Sequence, residues 1–182
     1  MSQAPLHGKK VALVIACDQF RDEELFVPRT TLEDRGAETL IAASRLERSN
    51  GMLGKYAAPQ VLIKDLDAAK LDAVIVVGGM GSPEYLWNDR DLHNLLQNMQ
   101  DKNKILAAIC LSGAVLAKAG VLKGKKATVY ETPESVAALK EGGAFFESVP
   151  VIKDGKIITA NGPEAASDFA LEIAEELSKI LV

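Results

Sequence analysis

Three stretches of the chain are apolar without alternation: Val11-Ala-Leu-Val-Ile-Ala16, Ala73-Val-Ile-Val-Val77 and Ile105-Leu-Ala-Ala-Ile109. Short runs with no polar position fit strands covered on both faces, as in a parallel sheet. The third is weaker by propensity because it is rich in Ala. Glu38-Thr-Leu-Ile-Ala-Ala43 predicts a further strand. Between these runs the apolar spacing turns helical. Asp22 to Arg35 carries Leu25, Phe26 and Leu32, with Gly36 as a stop. Pro28 lies inside that pattern and is expected to kink the helix or delay its start. Asp89 to Lys102 sets Leu92, Leu95, Leu96 and Met99 on one stripe. Leu111 to Ala119 is short, rich in small residues and ends at Gly120. Pro163 to Leu181 is the strongest helix, with Phe169, Ile173, Leu177 and Ile180 at helical spacing.

Two regions break this alternation of strand and helix. Residues 45 to 63 are polar and contain glycine, then extended at Gln60-Val-Leu-Ile63, which predicts an antiparallel excursion. Val149 to Thr159 reads as a hairpin around Asp154-Gly155. The order of elements predicts an α/β sandwich: a mostly parallel sheet, helices on both faces and a late β-hairpin. In such a sheet, sites form outside the carboxyl ends of the strands. That rule selects three loops: Cys17 to Glu24, Gly78 to Pro83 and Cys110 to Gly113.

Composition narrows the function. A chain of 182 residues with 48% hydrophobic positions supports one core. We expect a single domain over residues 9–182 behind a flexible arm at residues 1–8. The net charge is −4 with both signs interspersed, which disfavours nucleic acid as a partner. The longest apolar run, Val11 to Cys17, is far too short to cross a membrane. Met1 to Gly8 has no apolar core of a signal peptide, and two Cys do not make a disulfide framework, so a cytoplasmic location is expected. Two His and two Cys, widely separated, lack zinc spacing, and no metal or cofactor is expected.

The chemistry centres on Lys104-Ile-Leu-Ala-Ala-Ile-Cys110-Leu-Ser-Gly113. A buried strand runs directly to Cys110 and a helix follows at once, as in a nucleophile elbow with small neighbours Ala108, Ser112 and Gly113. A helix N-terminus under the sulfur is expected to lower its pKa toward the thiolate. The alternative is an inert Cys packed at a strand end. Gly78-Gly79-Met-Gly-Ser-Pro83 follows another buried strand, and its amides are placed to hold an oxyanion unless it is an ordinary glycine turn. It fits neither G-x-G-x-x-G nor a P-loop, which disfavours nucleotides. Asp22 and Glu23 are read as acids complementing a helix dipole. Cys17 is read as a packed thiol, with a resolving role as the alternative. Tyr85 and Trp87 are read as semi-buried aromatics, or else as pocket or subunit-contact residues. The only imidazoles are His7, in the expected arm, and His93, a rim residue, so a Cys–His dyad within one subunit is not expected.

Several of these segments together resemble the ThiJ/PfpI superfamily. They are Glu24-Leu-Phe-Val-Pro28, Val76-Val-Gly-Gly79, Ala107-Ala-Ile-Cys110, Ala119 to Thr128 and Thr159-Ala-Asn-Gly-Pro163, and the likeness runs from Lys9 to Leu181. The resemblance implies a flavodoxin-like three-layer sandwich, a reactive Cys110 and a Glu24 carboxyl against its sulfur. It also implies that the N–H groups of Gly79 and Leu111 face an oxyanion, beside Gly78. Such proteins are commonly intracellular homodimers without a cofactor. Leu111 stands where peptidase-like members carry His, Tyr130 where other members carry His, and Asn161 where an arginine is frequent. The function this implies is Cys-dependent chemistry on small reactive carbonyls, glyoxalase- or deglycase-like, in stress protection. The alternatives are a redox-sensing or chaperone-like protein with an oxidisable Cys and, lacking an evident base, an intracellular cysteine peptidase.

Overall fold

The structure, a computed structural model, describes residues 5–181. In chain order, β1 (Lys10–Val14) leads to α1 (Asp22–Glu33) and β2 (Glu38–Ala43). Three two-residue strands follow: β3 (Ser49–Asn50), β4 (Tyr56–Ala57) and β5 (Val61–Leu62). Next come β6 (Ala73–Val76), α2 (Ser82–Tyr85), α3 (Arg90–Asp101), β7 (Ile105–Ile109) and α4 (Gly113–Lys118). The chain closes with β8 (Lys126–Ala127), α5 (Pro133–Glu141), β9 (Phe145–Phe146), β10 (Val151–Asp154), β11 (Ile157–Ala160) and α6 (Ala166–Ser178).

Seven strands form one sheet in the order β10-β11-β7-β6-β1-β2-β5. All neighbours are parallel except β10 and β11. This is the expected flavodoxin-like sandwich, and the reason lies in the strands. Because side chains alternate across a strand, Val11 and Leu13 of β1 join one core with Leu25 and Leu32 of α1 and Phe169 and Ile173 of α6. Ala12 and Val14 join the opposite core with Leu92, Leu96 and Met99 of α3 and Leu116 of α4. A strand that must be apolar on both faces shows no alternation.

Four expectations need correction. Pro28 does not delay α1, which begins at Asp22 and runs through it, at the cost of the one i→i−4 bond its missing N–H would have made. Residues 5–8 are not a free arm. Leu6 is buried, and its N–H donates to the Arg35 carbonyl at 2.9 Å; residues 1–4 lie outside the described residues. The excursion after β2 is antiparallel only at β3–β4, whereas Val61–Leu62 pairs parallel with β2. The late hairpin turns on Gly155 and Lys156, since Asp154 pairs with Ile157. Among the described residues, no helix is long and apolar enough to cross a membrane.

Candidate active site

Backbone bonds join two of the three loops selected by the carboxyl-end rule, and the Ser112 hydroxyl ties the third to them through Val77 O. The Arg21 N–H donates to Gly78 O at 3.0 Å, and the Gly81 N–H to Gln19 O at 3.0 Å. β7 ends at Ile109, and Cys110 opens a single 3-10 turn that runs into α4. Cys110 has φ +61°, in the left-handed region, where a non-glycine residue is strained. Surrounding bonds hold it there: the Tyr130 N–H donates to Cys110 O at 3.1 Å, and the Trp87 indole N–H donates to Leu111 O at 2.9 Å. The elbow read from the sequence is therefore present. Its thiol is nearly covered, the residue keeping 7% of its surface accessible.

Glu24, in the first turn of α1, is wholly buried. Its Oε2 accepts the Gly78 N–H at 2.9 Å, and its Oε1 has no hydrogen-bond partner among the described residues. The carboxyl lies against the Cys110 side chain, close enough for each group to shift the other's titration. Gly78 makes that approach feasible. A Cβ there would overlap the Glu24 carboxyl and lie 2.6 Å from Cys110 Cβ. Gly79, at φ +111°, packs on the Gln19–Arg21 backbone, and its amide and that of Leu111 flank the sulfur closely enough to act on its titration.

The electrostatics differ from expectation. Burial pushes the Glu24 carboxyl up to about 8, against the pull of the Cys110 thiol and the Gly78 amide. The Cys110 thiol is not lowered. Burial first, and then the charge of the adjacent carboxylate, push it up to about 12, while the Gly79 and Leu111 amides pull it down. The expected helix effect is small because only a 3-10 turn and a six-residue helix stand behind the sulfur. The carboxylate raises the thiol while the thiol favours the carboxylate, so the pair titrates in two linked steps and holds a single proton between them. A thiolate forms at least cost while Glu24 is protonated, when the carboxyl donates to sulfur rather than repelling it.

Beside the elbow a cleft of ≈ 440 Å³ is lined by Tyr130, Glu131, Asn161 and Glu164. Tyr130 is half exposed. His93 does not serve the sulfur; its Nε2 meets the Trp87 carbonyl at 2.8 Å. His7 is exposed. Cys17 is buried, its Sγ 2.9 Å from Ser44 Oγ. Tyr85 and Trp87 are half-buried, and Trp87 braces the elbow. Asp22 does more than complement a dipole: buried, it accepts the N–H groups of Leu53 (3.0 Å) and Lys55 (2.9 Å), fastening the β3–β4 loop beside the site. Sequence reasoning also missed Ser82 and Ser112, both fully buried. The signal was their position, one inside the glycine loop and one two residues past Cys110. Among the described residues, no group of three or more His, Cys, Asp or Glu is arranged to hold a metal.

Comparison with known proteins places this arrangement. A protein of Methanocaldococcus jannaschii, itself uncharacterised, is 44% identical over 174 residues, spanning 96% of this chain and 85% of that protein. A Thermococcus kodakarensis protein named a deglycase is 27% identical over 151 residues, 83% of this chain and 89% of that one. The crystal structure of a ThiJ/PfpI domain protein from Brachyspira murdochii superposes with a TM-score of 0.90 at 28% identity, covering 96% of this chain and 99% of that one. The model of the DJ-1/PfpI family matches residues 9–176, which include Glu24, the paired glycines and the Cys110 elbow, and the chain belongs to that family.

Proposed function

We propose that the protein is a Cys110-dependent enzyme acting on small reactive carbonyls, in the manner of a glyoxalase or deglycase. The observation that carries this reading is the strained elbow that sets the Cys110 thiol against a buried carboxyl and two amides. The deglycase name of one relative supports it. With methylglyoxal, sulfur adds to the aldehyde carbon and the proton passes to the new hydroxyl, giving a hemithioacetal. The ionised Glu24 removes the proton from that carbon and returns it to the neighbouring carbonyl carbon, while the C1 hydroxyl proton moves to the C2 oxygen, so C1 is oxidised and C2 reduced without an external oxidant. Water then cleaves the resulting thioester, releasing lactate and the thiol. The Gly79 and Leu111 amides, which flank the sulfur, stabilise the oxyanion. Gly78 admits the carboxyl, and Tyr130, whose N–H donates to Cys110 O, lines the neighbouring cleft. A second copy of the chain is the expected partner.

The test is lactate formation from methylglyoxal by the purified protein. Turnover that disappears in Cys110→Ala supports the reading; turnover that survives there, or none in the wild type, overturns it. One observation favours a second reading, as an oxidant sensor: the unpartnered Glu24 Oε1 beside the sulfur would hydrogen-bond a sulfinate. Mild peroxide followed by intact mass tests it, with a gain of about 32 Da on Cys110 as the expected product.

A further inference from the structure

The amides that hold the carboxyl and flank the sulfur come from different strand ends. Gly78 and Gly79 follow β6, and Leu111 follows β7. Neither loop alone fixes their spacing. A buried hydroxyl pair does span the gap. Ser112 Oγ donates to Val77 O at 2.7 Å, and Ser82 and Ser112 Oγ lie 2.7 Å apart. A hydroxyl has one proton. Ser112 spends its proton on Val77, so Ser82 donates to Ser112. Val77 O belongs to the same peptide unit as the Gly78 N–H, which donates to Glu24 Oε2 at 2.9 Å. The chain of bonds thus runs Ser82, Ser112, the Val77–Gly78 peptide, Glu24. Both serines are fully buried.

We propose that Ser112, backed by Ser82, is a positioning residue: its hydroxyl orients and polarises the Val77–Gly78 peptide so that the Gly78 N–H holds the Glu24 carboxyl against Cys110. Donation to a peptide carbonyl makes its N–H a stronger donor, and bonds in such a chain reinforce one another at low dielectric. A stronger N–H favours the ionised carboxyl, opposing burial. The other groups that act on Glu24 are Arg21 and Glu23, joined to each other at 2.8 and 3.1 Å, and Cys110. None of them contacts either serine hydroxyl in the bonds described above. The inference concerns the titration of the thiol–carboxyl pair and stands whichever carbonyl the enzyme takes.

The test is the pH profile of Cys110 alkylation by iodoacetamide, read by intact mass on the full chain. Ser112→Ala is expected to move the first midpoint upward by roughly 0.3–0.7 pH unit. Ser82→Ala is expected to give a smaller shift in the same direction. In a Glu24→Gln background, Ser112→Ala is expected to shift nothing. A folded Ser112→Ala with the wild-type midpoint overturns the proposal, as does faster alkylation at every pH, which is mere loosening. So does a shift that persists with Gln at position 24. Should Ser112→Ala fail to fold, Ser82→Ala decides by the same criteria. Lactate formation is a separate readout, so loss of the carbonyl reading and loss of this one are distinguishable.

Discussion

Two glutamates are buried at opposite ends of the sheet, and they titrate in opposite directions. Glu24 sits at the carboxyl end with a thiol and one amide for company, and burial drives its carboxyl up to about 8. Glu176 of α6, 8% exposed, sits at the amino end within reach of Lys153 (3.0 Å), Lys179 (3.2 Å) and Lys156 (3.6 Å). Burial pushes Glu176 up as well, but the ammonium groups of Lys153 and Lys179 outweigh it, and its carboxyl falls below the usual range. The difference teaches that burial alone does not set a carboxyl's protonation. The end whose nearest guanidinium, Arg21, is already paired with Glu23 is the end that keeps a proton for chemistry.

The strongest way to break this comparison is Glu24→Gln. A carboxyl with a raised folded pKa binds more protons folded than unfolded, so its contribution falls as pH rises from the ordinary carboxylate value toward the folded one. The wild type is expected to lose stability between about pH 5 and 8, and Glu24→Gln to be more stable by on the order of 2–4 kcal/mol near pH 8–9. Denaturant melts across pH check this; parallel curves contradict it. Gly78→Ala puts a methyl where the carboxyl packs. It is expected to cost about 2 kcal/mol by the same melts and to slow lactate formation at least tenfold. A third buried acid sharpens the contrast. Asp22 is satisfied by two amides. Asp22→Ala is expected to cost about 1–2 kcal/mol and to speed hydrogen exchange at Leu53 and Lys55, leaving distant strands protected. The smallest effect belongs to Glu176→Gln. Its lysine partners are 29–51% exposed, so the loss near neutral pH is expected to be about 1 kcal/mol or less. A carboxyl with a lowered folded pKa stabilises above its unfolded value and loses that effect as pH falls through the folded one. The difference between Glu176→Gln and wild type is therefore expected to vanish in acid.

The sequence made the large features legible because they are local. Unbroken apolar runs at Val11, Ala73 and Ile105 became the central strands since each is buried on both faces. Cys110 was legible from its place at a strand end and Glu24 from the family resemblance. What escaped was non-local or too short. The two-residue strands at Lys126–Ala127 and Phe145–Phe146 carry no periodicity, and two residues at Val61–Leu62 do not encode a pairing direction. The Ser82–Ser112 bond joins residues 30 apart, and Asp22 reaches Leu53 and Lys55 across 31 and 33. The thiol's upward shift depends on burial and on a carboxylate that meets it only in the fold, so helix-terminus reasoning gave the wrong sign.

The central claim is that Cys110 and Glu24 share one proton. The direct measurement is the alkylation rate of Cys110 across pH in the wild type and in Glu24→Gln. The account expects two rises in the wild type, the first near the carboxyl's value of about 8 and the second toward the thiol's own value of about 12. It expects a single rise in Glu24→Gln, below the second wild-type step, because the repelling carboxylate is gone. Superimposable profiles for the two proteins would contradict it.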